Sequence, residues 1–232
     1  MTEQGDSRGE PFFGSAFAAA PAAIVLPVVL VLCFAAQLAY GTSDARQNAL
    51  IAWGGLSGQA LHEGRWWTLF TSMFLHGGWL HISMNAAVAL SVSTPVALAM
   101  GRGVVGFLKF WVLFLLCGLA GGLAYVVFEP NSALPAIGAS GAISGLWGAM
   151  VRIPFTPGPL NAPWSRRALA MSVPFLLVNV LLMAALTRFH ILPVAWQDHL
   201  GGFIAGQILI SFFAVRRPRA PVVGGPWGNA DG

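Results

Sequence analysis

Four polar side chains in an otherwise apolar chain have the types needed for acyl transfer. They are Ser140 in Gly138-Ala139-Ser140-Gly141, His199 in Asp198-His199, and His81 with Asn85 four residues later. A serine hydroxyl becomes a usable nucleophile when a neutral imidazole beside it can take its proton. The tetrahedral intermediate then needs donors for its oxyanion, which an imidazole N–H, a carboxamide and the serine's own backbone N–H can supply. His81 and Asn85, at i and i+4, share one helix face about 6 Å apart along the axis. Singly, each residue has a blander reading. With 28 glycines in the chain, Gly-x-Ser-Gly arises readily by chance, and Ala142 excludes the Gly-x-Ser-x-Gly elbow. A serine in an apolar run often serves helix packing, and a lone His or Asn often bonds a neighbouring helix.

The elements that must position these residues are membrane helices. The 232 residues include 12 Lys+Arg and 8 Asp+Glu, whereas a soluble chain of this length would carry about 58 charged residues. The hydrophobic fraction is 56% and the mean hydropathy is +0.72. That much apolar surface cannot be hidden in one compact core, so lipid is the solvent for most of the chain. A soluble globular enzyme, a secreted disulfide scaffold and a disordered chain are excluded. The net charge of +4 is scattered between apolar runs without a dense basic tract, which points to a bilayer and not to nucleic acid. Cys33 and Cys117 lie within apolar runs and read as small buried thiols. His62-Glu63 lacks a second His four residues from the first, so no zinc motif is present.

Apolar runs, uncharged except for Asp198 in the last, mark six spans: Ala20 to Tyr40, Leu80 to Met100, Phe110 to Phe128, Ser140 to Val151, Ala168 to Leu186 and Val194 to Val215. The fold class is therefore an all-α polytopic membrane protein, a six-transmembrane-helix bundle. The fourth run is short; it crosses only if the Gly/Ala-rich segment before it also enters the membrane, or if it packs inside a bundle. Residues 1–19 read as a cytoplasmic segment, 20–215 as the six-span domain and 216–232 as a disordered cytoplasmic tail. One set of loops holds nine basic residues: Arg8, Arg102, Lys109, Arg152, Arg166, Arg167, Arg216, Arg217 and Arg219. The other set holds three, Arg46, Arg65 and Arg188. The positive-inside rule places both termini in the cytoplasm. The long first loop, Gly41 to Trp79, carries Trp53, Trp66, Trp67 and Trp79 and is expected to rest on or in the outer leaflet. Pro174 is expected to kink the fifth span.

Spans two, four and six then all run from outside to inside, and each carries its polar residues in its first turns. His81, Asn85, Ser140 and His199 are expected at one depth, a little below the outer surface. Gly141 and Gly145, like Gly202 and Gly206, are spaced i, i+4, and small faces of this kind let membrane helices approach closely. If the two faces meet, Ser140 and His199 come within hydrogen-bond reach. Ser144 lies one turn below Ser140 and is also followed by Gly. Ser140 is the better nucleophile because it is shallower, where water reaches, and lies where helix N–H groups are unpaired. Asp198 points about 100° away from His199 and reads as a solvated first-turn acid, not a third catalytic member.

At these residues the chain resembles the rhomboid intramembrane serine proteases of the bacterial six-span type. The resemblance runs from about Gly64 to Gly206 and includes Trp66-Trp67, Phe74-Leu75-His76, His81-x-x-x-Asn85, Gly138-Ala-Ser140-Gly141 and His199-x-x-Gly202-x-x-x-Gly206. It implies a six-helix bundle around a water-filled cavity, a Ser140–His199 dyad, oxyanion stabilisation by His81 and Asn85, and a structural role for His76. The implied substrates are transmembrane segments of membrane proteins, cut near their extracytoplasmic ends, with no metal, nucleotide or other cofactor. The implied location is the cell membrane, and the single lysine among 12 basic residues fits a GC-rich bacterial genome. Two positions depart from the family pattern. Thr68 follows Trp67 where Arg is usual, and Ser144 replaces the aromatic residue that packs on the catalytic His. The alternative is an inactive rhomboid-like protein that binds transmembrane clients. A channel or transporter would call for internal repeats or paired intramembrane charges, and neither is present.

Overall fold

A computed structural model of the chain describes residues 20–156, 158–190 and 194–215. The expected N-terminal segment 1–19 and tail 216–232 lie outside the described residues. The first apolar run folds as helix α1, Pro21–Tyr40, opening on a proline where a missing N–H costs nothing. The first loop, rich in serine caps, folds into short helices: α2, Asp44–Gly54, α3, Gly58–His62, and α4, Thr68–Thr71, the last running into a 3-10 turn at Ser72–Phe74. Ser43 and Ser57 accept hydrogen bonds from the backbone N–H groups of Arg46 and Ala60, as N-cap residues do. The long helices α5, Trp79–Met100, and α6, Gly103–Phe128, follow. Helix α7 is Ser140–Arg152, α8 spans Arg166–Arg188, and α9 is Trp196–Phe213. The described residues are all-helical, with one isolated antiparallel bridge, Leu56–Ala136, and no strand.

Four helices, α1, α5, α6 and α8, are long and apolar enough to cross a membrane. Helix α7 has only 13 residues, a length of about 20 Å, and α9 opens on polar Gln197, Asp198 and His199. These two pack inside the bundle: α7 makes its largest contact with α9, α9 packs next most on α6, and α1 lies on α5. The preceding Gly/Ala-rich segment is not helical, so α7 fits the packed-inside alternative for the fourth run. Leu26, Leu30, Val96, Phe110, Leu113, Phe114, Leu146 and Ile210 are fully buried. In lipid such packing acts through close van der Waals contact more than through release of water.

One helix start is displaced by seven residues and one helix is irregular inside, each for a physical reason. Helix α6 begins at Gly103, seven residues before Phe110, because Lys109 continues the helix half-buried, as a cation on a long aliphatic stem is able to do. Pro174 stays inside α8 but is followed by a π-helical turn, Leu177–Leu182; a proline supplies no N–H to the turn before it, and the ladder re-registers beyond it. Cys117 is buried as expected, whereas Cys33 is only half-buried.

Candidate active site

The glycine faces of α7 and α9 meet. A Cβ on Gly202 would collide with the Gly141 carbonyl oxygen, and one on Gly206 with that of Gly145. At this close crossing the side chains at the two helix starts come together: Ser140 Oγ and His199 Nε2 are 2.9 Å apart. Both residues are half-buried. With Nε2 accepting from the hydroxyl, the ring proton sits on Nδ1, which faces the Asn179 backbone of α8 without a close hydrogen bond among the described residues. The pair is therefore a dyad without a carboxylate behind the imidazole.

The helix start also leaves donors free. The first bond of the α7 ladder runs from Ile143 N–H to Ala139 O at 2.9 Å, so the Ser140, Gly141 and Ala142 N–H groups have no acceptor within the helix. His81 approaches the same place from α5. Its Nδ1 accepts from Gly77 N–H at 3.3 Å, which leaves the proton of the neutral ring on Nε2. That Nε2 would lie 2.6 Å from a Cβ on Gly138. Gly138 has φ +113°, so both its backbone and its missing side chain require glycine there. Asn85 Nδ2 donates to His81 O at 3.0 Å, and its second amide hydrogen remains available. The structure thus brings all four sequence-predicted residues, Ser140, His199, His81 and Asn85, into one layer. Ser144, a turn deeper, is buried, and its hydroxyl makes no hydrogen bond among the described residues.

The first loop holds this layer in place. Leu56 and Ala136 exchange backbone hydrogen bonds of 3.0 and 2.7 Å, and Gly138 N–H donates to Ser72 O at 2.8 Å. The loop is in turn fastened at the C-terminus of α2, where three successive carbonyls meet three side-chain donors. Arg65 reaches Ala52 O at 2.6 Å, Trp67 Nε1 reaches Trp53 O at 3.3 Å, and Thr71 Oγ1 reaches Gly54 O at 2.6 Å. These groups would otherwise be unpaired, and an arginine anchors the loop here from position 65 although Thr68, not Arg, follows Trp67.

Several residues escaped the sequence reading. Gln37 of α1 is buried and grips the backbone of His76, donating to its O at 2.8 Å and accepting from its N–H at 3.0 Å. His76 is 1% exposed, with its ring edge-on to His81 at 5.1 Å and to Phe34 at 6.3 Å. Burial, then the neighbouring His81, pushes its pKa down to about 4. Phe175 of α8 stacks on Phe203 of α9 at 4.5 Å and tilts against Trp147 of α7 at 5.7 Å, so aromatic packing on α9 lies one turn below His199. Asp198 is not the solvated acid expected: its carboxylate lies between Gly121 and Gly141, where a Cβ on either would collide with it. A lone Gln in an apolar run was the only sequence signal for the first of these.

Residues 63–217 match the family model for the Rhomboid domain. The chain is 26% identical over 201 residues to Rhomboid protease GluP of Bacillus subtilis, a stretch covering 87% of this chain and 35% of that protein. It is 31% identical over 157 residues to RHOMBOID-like protein 1 of Arabidopsis thaliana, covering 67% of this chain and 36% of the relative. With Rhomboid-like protease 5 of Toxoplasma gondii it shares 32% identity over 159 residues, 68% of this chain and 17% of the relative. The chain thus spans about a third of the length of GluP and of the Arabidopsis protein.

Proposed function

This chain belongs to the rhomboid family, and from that premise we propose that it is an intramembrane serine endopeptidase. The observation that carries the reading is the 2.9 Å approach of Ser140 Oγ to His199 Nε2, beside donors that each keep a hydrogen free. His199 takes the hydroxyl proton as Oγ attacks the scissile carbonyl. The oxyanion is met by the Ser140 N–H, His81 Nε2–H and the Asn85 amide. The imidazolium then gives its proton to the departing amine, leaving an acyl-Ser140. Water, deprotonated by His199, releases the new carboxylate and restores the serine.

The substrates in this reading are transmembrane segments of other membrane proteins, cut near their extracytoplasmic ends at small residues with helix-weakening residues just inside. Residues 20–215 form the protease unit, with six crossing helices between cytoplasmic termini in a bacterial cell membrane. A helix of about 20 Å is shorter than a hydrocarbon layer of about 30 Å, which supports a dyad that lies below the outer surface within reach of water. Labelling by a fluorophosphonate serine probe in detergent tests the proposal, with Ser140→Ala as the control. A protein that only binds transmembrane clients remains unlabelled.

A further inference from the structure

Asp198 immediately precedes the base, and Gly141 immediately follows the nucleophile. The carboxylate of Asp198 enters the seam where α6, α7 and α9 converge, filling the space that Gly121 and Gly141 leave by having no side chain. No Lys or Arg pairs with it among the described residues; the polar group it faces is the Gly141 backbone N–H. That N–H is one of the orphans at the start of α7. A helix start ordinarily receives a Ser, Thr, Asp or Asn from its own N-cap position, but the N-cap of α7 is Ala139, which makes no side-chain cap. The carboxylate that lies against Gly141 belongs to another helix, and it stands at the end of the α7 dipole where a negative charge is favoured.

We propose that Asp198 is a positioning residue that caps α7 from α9 and sets the register in which Ser140 meets His199. The proposal rests on the protease reading above. The cap and the dyad are adjacent rungs between the same two helices: Gly141 to Asp198, then Ser140 to His199. A carboxyl oxygen that holds the Gly141 N–H prevents α9 from sliding or rotating along the smooth glycine face, which by itself offers no directional contact. The role needs an acceptor of this size and not a negative charge.

The experiment compares Asp198→Leu, which fills the same space without an acceptor, with Asp198→Asn, whose amide oxygen still accepts. Cleavage of a model transmembrane substrate in detergent gives kcat and KM, and gel filtration with thermal unfolding reports folding. Asp198→Leu is expected to fold and to lose about 10- to 100-fold in kcat, the scale of a misplacement near 1 Å, with KM within about twofold. Asp198→Asn is expected to recover all but about threefold of that loss. Gly141→Ala, which crowds the carboxylate off the N–H, reproduces the loss by a second route and serves where Asp198→Leu does not fold. Parent-like kcat in Asp198→Leu or in Gly141→Ala, or an Asn variant as slow as the Leu variant, overturns the proposal. A parent protein that is itself unlabelled and inactive overturns the protease reading instead.

Discussion

Gly202 sits so close to Gly141 that a Cβ on Gly202 would meet the Gly141 carbonyl oxygen, and Gly206 stands in the same relation to Gly145 one turn on. The dyad distance depends on this crossing. Gly202→Ala forces α7 and α9 apart at the level of the dyad; overpacking of this kind costs about 1–3 kcal/mol. Serine-probe labelling is expected to fall by about 100-fold, because attack geometry tolerates little displacement. Gly206→Ala is expected to cost similar stability with a smaller loss of labelling. Parent-rate labelling of folded Gly202→Ala would show that the crossing does not set the dyad.

Ser140 and Ser144 share a face of α7, but only Ser140 is bonded to His199, at 2.9 Å. Ser140→Ala is expected to abolish both cleavage and probe labelling, and Ser144→Ala to retain most of both. Labelling that survives the first change and vanishes with the second would move the reacting layer one turn deeper.

The uncharged runs located α1 and α5 to within one residue at each end, because a helix in lipid announces itself by what it lacks. Lys109 misled the start of α6, since a long cationic stem can lie along a helix that continues past it. The short helices of the first loop were hidden in mixed polarity, although Ser43 and Ser57 are ordinary capping residues. The four residues proposed for the site were grouped in the sequence by one topological expectation, that three helices entering from one side carry their polar groups in their first turns. Asp198 was not, because a helical rotation of about 100° says where a side chain does not point. What it does meet, Gly121 and Gly141, comes from helices far away in sequence. Gln37 was hidden in the same way, its partner His76 lying 39 residues on.

His81 and Asn85 differ in how firmly they are aimed. The Gly77 N–H fixes the tautomer of His81, whereas Asn85 spends one hydrogen on the His81 carbonyl at 3.0 Å. Each of His81→Ala and Asn85→Ala is expected to lower kcat, by at most the 10²–10³ of a fully used oxyanion donor, with folding and probe binding retained. Parent-rate cleavage by both single variants would remove the oxyanion assignment.

Orientation has a direct test in a background of Cys33→Ser and Cys117→Ala. Ala45 and Thr156 are both exposed, on the first loop and after α7 respectively. A membrane-impermeant maleimide on intact cells is expected to label Ala45→Cys and to spare Thr156→Cys until the membrane is opened. The reverse pattern would invert the topology and detach the common-depth argument from the outer surface.

His76 gives stability a dependence on pH with a definite sign. Its folded pKa of about 4 lies below the ordinary 6.5, so the folded state refuses a proton that the unfolded chain accepts. Above pH 6.5 both states are neutral at this residue and it contributes no slope. As pH falls from 6.5 towards 4 the unfolded state alone gains the proton and stability falls; below about 4 the slope from this group disappears. The loss over that window is at most about 3.4 kcal/mol at 1.36 kcal/mol per pH unit. Thermal midpoints in detergent at pH 7.5, 6 and 4.5 check it against His76→Gln, which removes this titration and leaves the others in place. The parent is expected to lose more on acidification than the variant does. Parallel curves would mean that His76 already finds a partner for its proton in the folded state.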